Sequence, residues 1–373
     1  MPAAPARPAA RPPARRVCVV LLTGLGDVVH GLPLVTALKR ADPGCHVTWV
    51  AEPMPAQLLD PHPAVDQVVR YRRREGWRGV TALRRALAEA RRRAPGGAFD
   101  VTLNLNVYFK SVWPVLFSGA PERWSFGRDR ARDGVWLAST RRIPARPRRH
   151  TQDMFLEFLA ALGVPHAPPA EPADWGIAAS FTDAERRAQA AWAAARSGRP
   201  RAVIVPASAV AAKDWPAERW ARVAAALASD LGHEVVVAGG PGARETAAAR
   251  VVSDQAGVPV TWAMGDGVRR LAWTLDACDL VLAPDTGPLH IARALGRPVV
   301  GVYGHSNPWR VGPYRAWEHL WVDAYTPPGA LPDPSAFDPP ADDRMAAIPV
   351  EAVVDRAEAA VRAAAVTRGT RVE

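Results

Sequence analysis

The sequence is poor in cysteine, lysine and asparagine, and it has no long apolar run. Its three cysteines, Cys18, Cys45 and Cys278, are scattered. They form no CxxC pair and no disulfide framework, which suits a reducing compartment. Cys18 and Cys278 lie in apolar segments and read as small core residues. No apolar stretch approaches the ~20 residues of a membrane span. The Pro-, Ala- and Arg-rich start, Met1 to Arg16, lacks the apolar centre of a secretory signal, because Val17 to Leu22 is too short for one. The expectation is a cytoplasmic protein with a disordered basic tail over residues 1–16.

Of 47 basic residues only Lys39, Lys110 and Lys213 are lysines, and only Asn104, Asn106 and Asn307 are asparagines. With the abundance of alanine, this is a background bias toward arginine and away from lysine and asparagine. A lysine retained under it calls for a chemical reason, such as a compact point charge that a planar guanidinium does not mimic. The net charge of +10 favours an anionic partner: nucleic acid, an acidic membrane surface or a phosphorylated substrate. Charge alone does not choose among them.

A chain of 373 residues is comfortable for two domains. Arg16 to Leu22, Val47 to Ala51, Val65 to Val69 and Phe99 to Leu105 read as strands. Helical patterns over Val28–Lys39 and Val80–Ala90 fall between them. The segment Val164 to Trp175 is Pro-rich and reads as a linker. Alternation then resumes, with strands at Ala202–Val205, Glu234–Ala238, Leu280–Ala283 and Val299–Tyr303. Helices fall at Ala217–Ala228, Val268–Asp276 and Thr286–Leu295, and a last one runs from Val350 to Ala364. Such alternation implies parallel βαβ units. The expected division is residues 17–168, 169–349 and a C-terminal helix and tail over 350–373. Two Rossmann-like domains would face a central cleft, with ligands at the carboxyl ends of the strands.

Four loops concentrate polar chemistry. Gly24-Leu25-Gly26-Asp27 joins a strand to a helix but lacks the third glycine of a dinucleotide fingerprint, and Asp27 opposes a pyrophosphate there. Asp27 is equally a helix cap or a carboxylate aimed into the cleft. Asp285-Thr286-Gly287-Pro288-Leu289-His290 opens another helix. There Gly287 would admit a ligand close to the backbone, the free N–H groups favour a diphosphate, and His290 is within reach of it. Lys213 precedes Trp215-Pro216 and a helix, where a rare lysine fits a phosphate contact. Asn104, Asn106 and Lys110 cluster just past a strand and suit a hydroxyl-rich ligand, although turn chemistry also explains the asparagines. The basic stretch Arg70 to Arg93 is either a solvated face or a surface for anionic lipid. His150 is an acceptor-site or a plain surface residue.

Taken in order, these motifs resemble glycosyltransferase family 9, the lipopolysaccharide heptosyltransferases. The residues that carry the resemblance are Gly24 to His30, Lys213 with Trp215-Pro216 and Trp220, and Asp285 to His290 continuing through Pro298 to Gly304. The resemblance implies an α/β GT-B fold and an inverting transfer of a sugar, a heptose, from a nucleoside-diphosphate donor, ADP-linked, to a lipopolysaccharide-core or related glycan. It makes Asp27 the general base, with Gly26, His30, Asn104, Asn106 and Lys110 toward the acceptor. Lys213, Asp285, Thr286, Gly287 and His290 would surround the donor diphosphate and its sugar, and Glu245 the ribose. Asn104 to Ser111 and His305 to Pro308 depart from the family pattern, in loops that bear on which sugar and acceptor are used. No metal-ligand cluster stands out, so no cofactor is expected. Rival readings are a GT-B nucleotide-sugar epimerase, a nicotinamide-dependent oxidoreductase and, on charge only, a nucleic-acid-binding protein; nucleic acid is not the expected partner.

Overall fold

The computed structural model describes residues 15–164, 173–195 and 198–369. The first half runs β1 (Arg16–Val20), α1 (Leu25–Ala41), β2 (His46–Ala51), α2 (Ala56–Leu59), β3 (Gln67–Arg70), α3 (Trp77–Arg93), β4 (Val101–Asn104), α4 (Val112–Phe117), β5 (Glu122–Ser125), β6 (Arg141–Arg142) and α5 (Thr151–Ala161). The second runs α6 (Asp183–Ala194), β7 (Arg201–Ile204), α7 (Ala217–Ser229), β8 (Glu234–Gly239), α8 (Ala243–Gln255), β9 (Val260–Met264), α9 (Gly267–Asp276), β10 (Leu280–Pro284), α10 (Gly287–Ala294), β11 (Val299–Tyr303), α11 (Pro308–Val311), β12 (Val322–Asp323) and α12 (Val350–Gly369).

Each half holds one six-stranded parallel sheet, ordered β3-β2-β1-β4-β5-β6 and β12-β11-β10-β7-β8-β9. Counted from its own first strand, each follows the doubly wound order 3-2-1-4-5-6. Strands buried on both faces need continuous apolar runs, and β1, β10 and β11 supply them. The register pairs Val19 with Trp49 and Val20 with Asn104 in the first sheet. In the second it pairs Leu282 with Ile204 and Val300.

In this topology the strand order reverses between β1 and β4, and again between β7 and β10. A crevice opens at each reversal because the following helices leave on opposite faces. The halves are apposed there: α1 packs on α10, α2 on α9, and one apolar cluster contains Val28 and Leu32 together with Leu289 and Trp273. Two glycines permit the approach. A Cβ on Gly287 would lie 2.6 Å from the Leu25 Cβ, and one on Gly26 would lie 2.5 Å from the His290 ring. Gly287 thus packs closely against the opposite half.

Several boundaries differ from the expected ones. Helix α1 begins at Leu25, so Asp27 lies inside its first turn. Helix α3 extends to Trp77 and Arg93, because its arginines continue the polar face around a stripe of Gly79, Leu83, Leu87 and Ala90. Strands β5, β6, β9 and β12 lack the apolar runs that mark the others: they are short or polar, and β9 carries exposed Thr261 and Trp262. Arg16 opens β1 and is not part of a tail, while residues 1–14 and most of the expected linker lie outside the described residues. Helix α12 packs against α7 and β11, placing Val353, Ala357 and Ala360 in the core of the second half. Among the described residues no helix is long and apolar enough to cross a membrane.

Candidate functional site

A cavity of about 790 Å³ lies between the two crevices. Its wall includes Gly26, Asp27, His30, Asn106 and Lys110 from the first half and Lys213, Glu245, Asp285, Thr286, Gly287 and His290 from the second. Ten of the eleven come from loops or helix starts after the strands beside the two reversals or, for Glu245, after β8; only His30 sits a turn deeper. Residues separated by up to 264 positions thereby face one space, from Gly26 to His290.

On the second half, the Lys213 ammonium lies 2.6 Å from Asp285 Oδ2, and His290 Nε2 donates to Asp285 Oδ1 at 3.3 Å. Lys213 ends a short 3₁₀ turn after β7, and Asp285 follows β10 directly. Asp285 is 7% exposed. Burial opposes its ionisation, but the Lys213 charge and the His290 hydrogen bond outweigh burial and hold its carboxyl far below the usual range. Its side chain does not cap α10. Thr286 occupies the cap position and makes no side-chain capping bond either. The start of α10, with the Gly287 N–H and the positive end of the dipole, faces the cavity beside a lysine; Pro288 has no N–H, and that of Leu289 donates to Thr286 O at 3.1 Å. Glu245, in the first turn of α8, accepts from the Gly240 N–H at 3.1 Å.

On the first half, Asp27 is at the third position of α1, behind the cap residue Gly24, and makes no capping bond. Among the described residues its carboxylate has no hydrogen-bond or ion-pair partner. It touches the cavity, yet protein surrounds it on the other sides. Burial raises its pKa, partly offset by the charges of Lys110, Arg310, Lys213 and His290. Lys110 hydrogen-bonds to Thr23, and burial lowers its pKa against the pull of Asp27 and Glu52.

The asparagines are mostly internal. Asn106 donates to Val20 O at 2.8 Å and accepts from Leu22 N at 3.3 Å, which pins the loop after β1 to the loop after β4. Asn104 accepts from Asn106 N at 3.2 Å, is fully buried and does not line the cavity. Asn104 thus fastens the loop from within, and of the two asparagines only Asn106 also lines the cavity. His150 is half-buried and does not line the cavity. Its Nδ1 accepts from Gln152 N to cap α5, and its Nε2 donates to Gly312 O of the second half at 2.9 Å. The His30 ring stands 5.0 Å from that of His150 and 4.6 Å from that of His290. Both His30 nitrogens are buried, with the Gln152 side chain and the Val311 backbone as their polar neighbours. Burial and its histidine neighbours push the His30 pKa well down, and burial lowers that of His150 to about 4.

Three wall residues had no sequence signal. Arg310, on α11, is one arginine among many, yet it faces both Asp285 and Asp27. Phe337, in the Pro- and Asp-rich loop, lies 4.4 Å from the Arg310 guanidinium. Gln57, on α2, accepts from Val268 N at 3.1 Å, a bond between the halves. All three depend on tertiary approach.

The profile of glycosyltransferase family 9 (heptosyltransferase) matches residues 84–326, so the Gly24–His30 motif lies outside the matched span. The chain is 31% identical over 307 residues to the lipopolysaccharide core heptosyltransferase OpsX of Haemophilus influenzae, covering 82% of this chain and 84% of that one. It is 29% identical over 312 residues to lipopolysaccharide heptosyltransferase 1 of Escherichia coli, covering 80% and 91%. Among solved structures, E. coli heptosyltransferase WaaC with ADP aligns with a TM-score of 0.71 at 24% identity, covering 92% of this chain and 99% of that one. A family 9 glycosyl transferase of Veillonella parvula aligns at 0.74 and 23%, covering 93% and 97%. These structures carry the two-sheet GT-B architecture over nearly the whole chain, and no oxidoreductase or epimerase reading is needed. The chain belongs to glycosyltransferase family 9, the heptosyltransferase family, and is a glycosyltransferase.

Proposed function

We propose that this enzyme transfers a heptose from an ADP-linked donor to a lipopolysaccharide-core acceptor, with inversion, in the cytoplasm. The observation that carries the reading is the Asp27 carboxylate. It is uncapped, unpartnered and opposite the start of α10 in one cavity with the Lys213–Asp285–His290 group. The names of the relatives support heptose and lipopolysaccharide core, and the E. coli enzyme solved with ADP and with ADP-2-deoxy-2-fluoro heptose supports the nucleotide.

In this reading Asp27 accepts the proton of an acceptor hydroxyl as that oxygen attacks the anomeric carbon. The raised pKa makes the carboxylate a better base than one in water. The sugar carbon passes through an oxocarbenium-like state and inverts. The leaving diphosphate gathers charge at the start of α10 and beside Lys213, donors already in place before reaction. Asp285 holds the Lys213 ammonium and the His290 ring in position. Gly26, His30, Asn106 and Lys110 border the acceptor side, and Glu245 the nucleoside side.

The test is incubation of the purified chain with ADP-heptose and a lipopolysaccharide core lacking heptose. The product would be weighed by mass spectrometry and its anomeric configuration read by NMR. A gain of one heptose with configuration opposite to the donor is the expected result. Consumption of another nucleotide-sugar in preference, or retention of configuration, overturns the assignment.

A further inference from the structure

Outside the cavity, the first half carries a cluster of apolar side chains that its fold does not cover. Trp77 is 72% exposed, Phe109 53%, Leu116 43% and Leu137 74%. Single exposed apolar residues are ordinary, but these stand on elements that touch: α3 packs on α4, and α4 packs on the 3₁₀ turns Phe109–Ser111 and Val135–Ala138. Trp113 joins them, its ring 5.8 Å from that of Trp77 and 5.6 Å from that of Phe117. The patch adjoins the cavity. Tyr108 and Lys110 line the cavity wall, and Phe109 between them is turned out.

The α3 side of the patch is cationic. Gly79, Leu83, Leu87 and Ala90 form the buried stripe of α3. At 100° per residue, Arg78 and Arg85 stand opposite that stripe, and Trp77 and Arg84 share one flank of the helix. Arg72, Arg73, Arg92 and Arg93 pair with Glu75, Glu52 and Glu89. Arg74, Arg78, Arg84 and Arg85 have no carboxylate partner among the described residues. Outward tryptophan and leucine, joined to a helix whose exposed arginines lack carboxylate partners, match the chemistry of an anionic bilayer surface. The indole settles at headgroup depth there, and the guanidinium groups meet lipid phosphates.

We propose that the face formed by Trp77, Phe109, Leu116 and Leu137, with Arg74, Arg78, Arg84 and Arg85, is a docking surface for anionic membrane lipid that turns the cavity mouth toward the bilayer. The apolar residues enter the interface and the arginines supply the charge attraction. Each arginine near the surface multiplies partition roughly fivefold at low salt. The link to delivery of a membrane-anchored acceptor rests on the proposed function; the binding itself does not, and it is measured without any transfer reaction.

The test is co-sedimentation of the full chain with vesicles of equal parts phosphatidylglycerol and phosphatidylcholine, and with vesicles of phosphatidylcholine alone. Binding to the anionic vesicles is expected, weakened by salt. Trp77→Ser with Leu137→Ser should reduce it at least tenfold, and Arg78→Ser with Arg84→Ser and Arg85→Ser on the order of a hundredfold. Both variants change exposed side chains, so circular dichroism and melting should match the parent, as should transfer to a delipidated acceptor. A parent that stays in the supernatant at low salt, equal binding to neutral vesicles, or undiminished binding by both variants overturns the proposal. A dimer that falls to monomer in the Trp77→Ser, Leu137→Ser variant would make this face a contact between two copies and would likewise overturn it.

Discussion

The Lys213 ammonium and the Asp285 carboxylate, from loops 72 positions apart, meet at 2.6 Å across the reversal between β7 and β10. The pair is asymmetric, since Asp285 is buried and Lys213 reaches the cavity. Removing the lysine leaves a buried carboxylate with His290 as its hydrogen-bond partner and the Arg310 charge nearby.

Lys213→Ala should therefore do two things. It should weaken ADP binding by tenfold or more, read by calorimetry, and it should lower stability. Breaking a buried pair costs about 3–5 kcal/mol; partial exposure of Lys213 places the expected loss at or below that range. Lys213→Arg should retain more stability yet still bind ADP poorly, because a planar fork does not occupy the place of an ammonium. The depressed Asp285 pKa sets the pH sense. Its contribution is complete above the unfolded carboxylate value near ~4 and is lost as pH falls below it toward the much lower folded value. A parent and Lys213→Ala that differ neither in ADP affinity nor in acid melting would dissolve this pairing as a functional element.

Asp27→Asn separates the proposed base from a cap. The carboxylate makes no capping bond, and burial raises its pKa, so at neutral pH its charge destabilises the fold. A raised carboxylate pKa favours the folded state below the unfolded value, and this advantage is lost as pH rises through the folded value. Asparagine removes that penalty. The variant should melt at or above the parent at pH 7, with the difference shrinking toward acid, while turnover falls ~10²–10⁴-fold. In the parent, kcat/KM should rise with pH through a value above the ordinary aspartate range, and the variant should lose that limb. Near-parent turnover in a normally melting variant would remove Asp27 from the chemistry.

His150 and His30 sit neutral between the halves. With the His150 pKa lowered to about 4, the unfolded chain binds the extra proton between pH 6.5 and about 4. Stability should therefore fall as pH drops through that window, by about 1.4 kcal/mol per pH unit for each such histidine at most. His150→Asn keeps a good helix cap and removes one titrating ring, so its melting temperature should decline less steeply from pH 7 to pH 5. An unchanged slope would assign the acid sensitivity elsewhere.

Gly287→Ala tests the contact between α1 and α10. Its methyl would meet Leu25 Cβ at 2.6 Å, and neither atom is at the end of a flexible chain. Overpacking of this kind costs about 1–3 kcal/mol. The variant should melt lower or scatter as a more open particle, with reduced turnover, and Leu25→Gly in the same chain should restore part of the loss. Normal melting, compactness and turnover in Gly287→Ala would show that the halves do not close on this contact.

Much of the architecture follows from the sequence alone. The apolar runs at Val17–Leu22 and Leu280–Ala283 must be buried on both faces, and alternation with amphipathic helices leaves parallel sheets as the solution. The loops after those strands and after β7 were legible too, because Asp27, Lys213 and Asp285 stand out where polar chemistry interrupts apolar segments. The functions of individual side chains were not legible, because each depends on a partner distant in the chain. Asp27 became a free carboxylate only because Gly24 holds the cap position. Gly287 became a contact for Leu25 only because the second sheet repeats the order of the first and brings α10 against α1. Asn104, which local spacing suggested as a ligand contact, turned inward to fasten the strand ends. Sequence pattern determines which segments must be buried and where chains turn, since those are local demands of periodicity and backbone hydrogen bonding. Only the tertiary structure decides which charges lose water and which meet, since Coulomb energy and desolvation depend on distance in space.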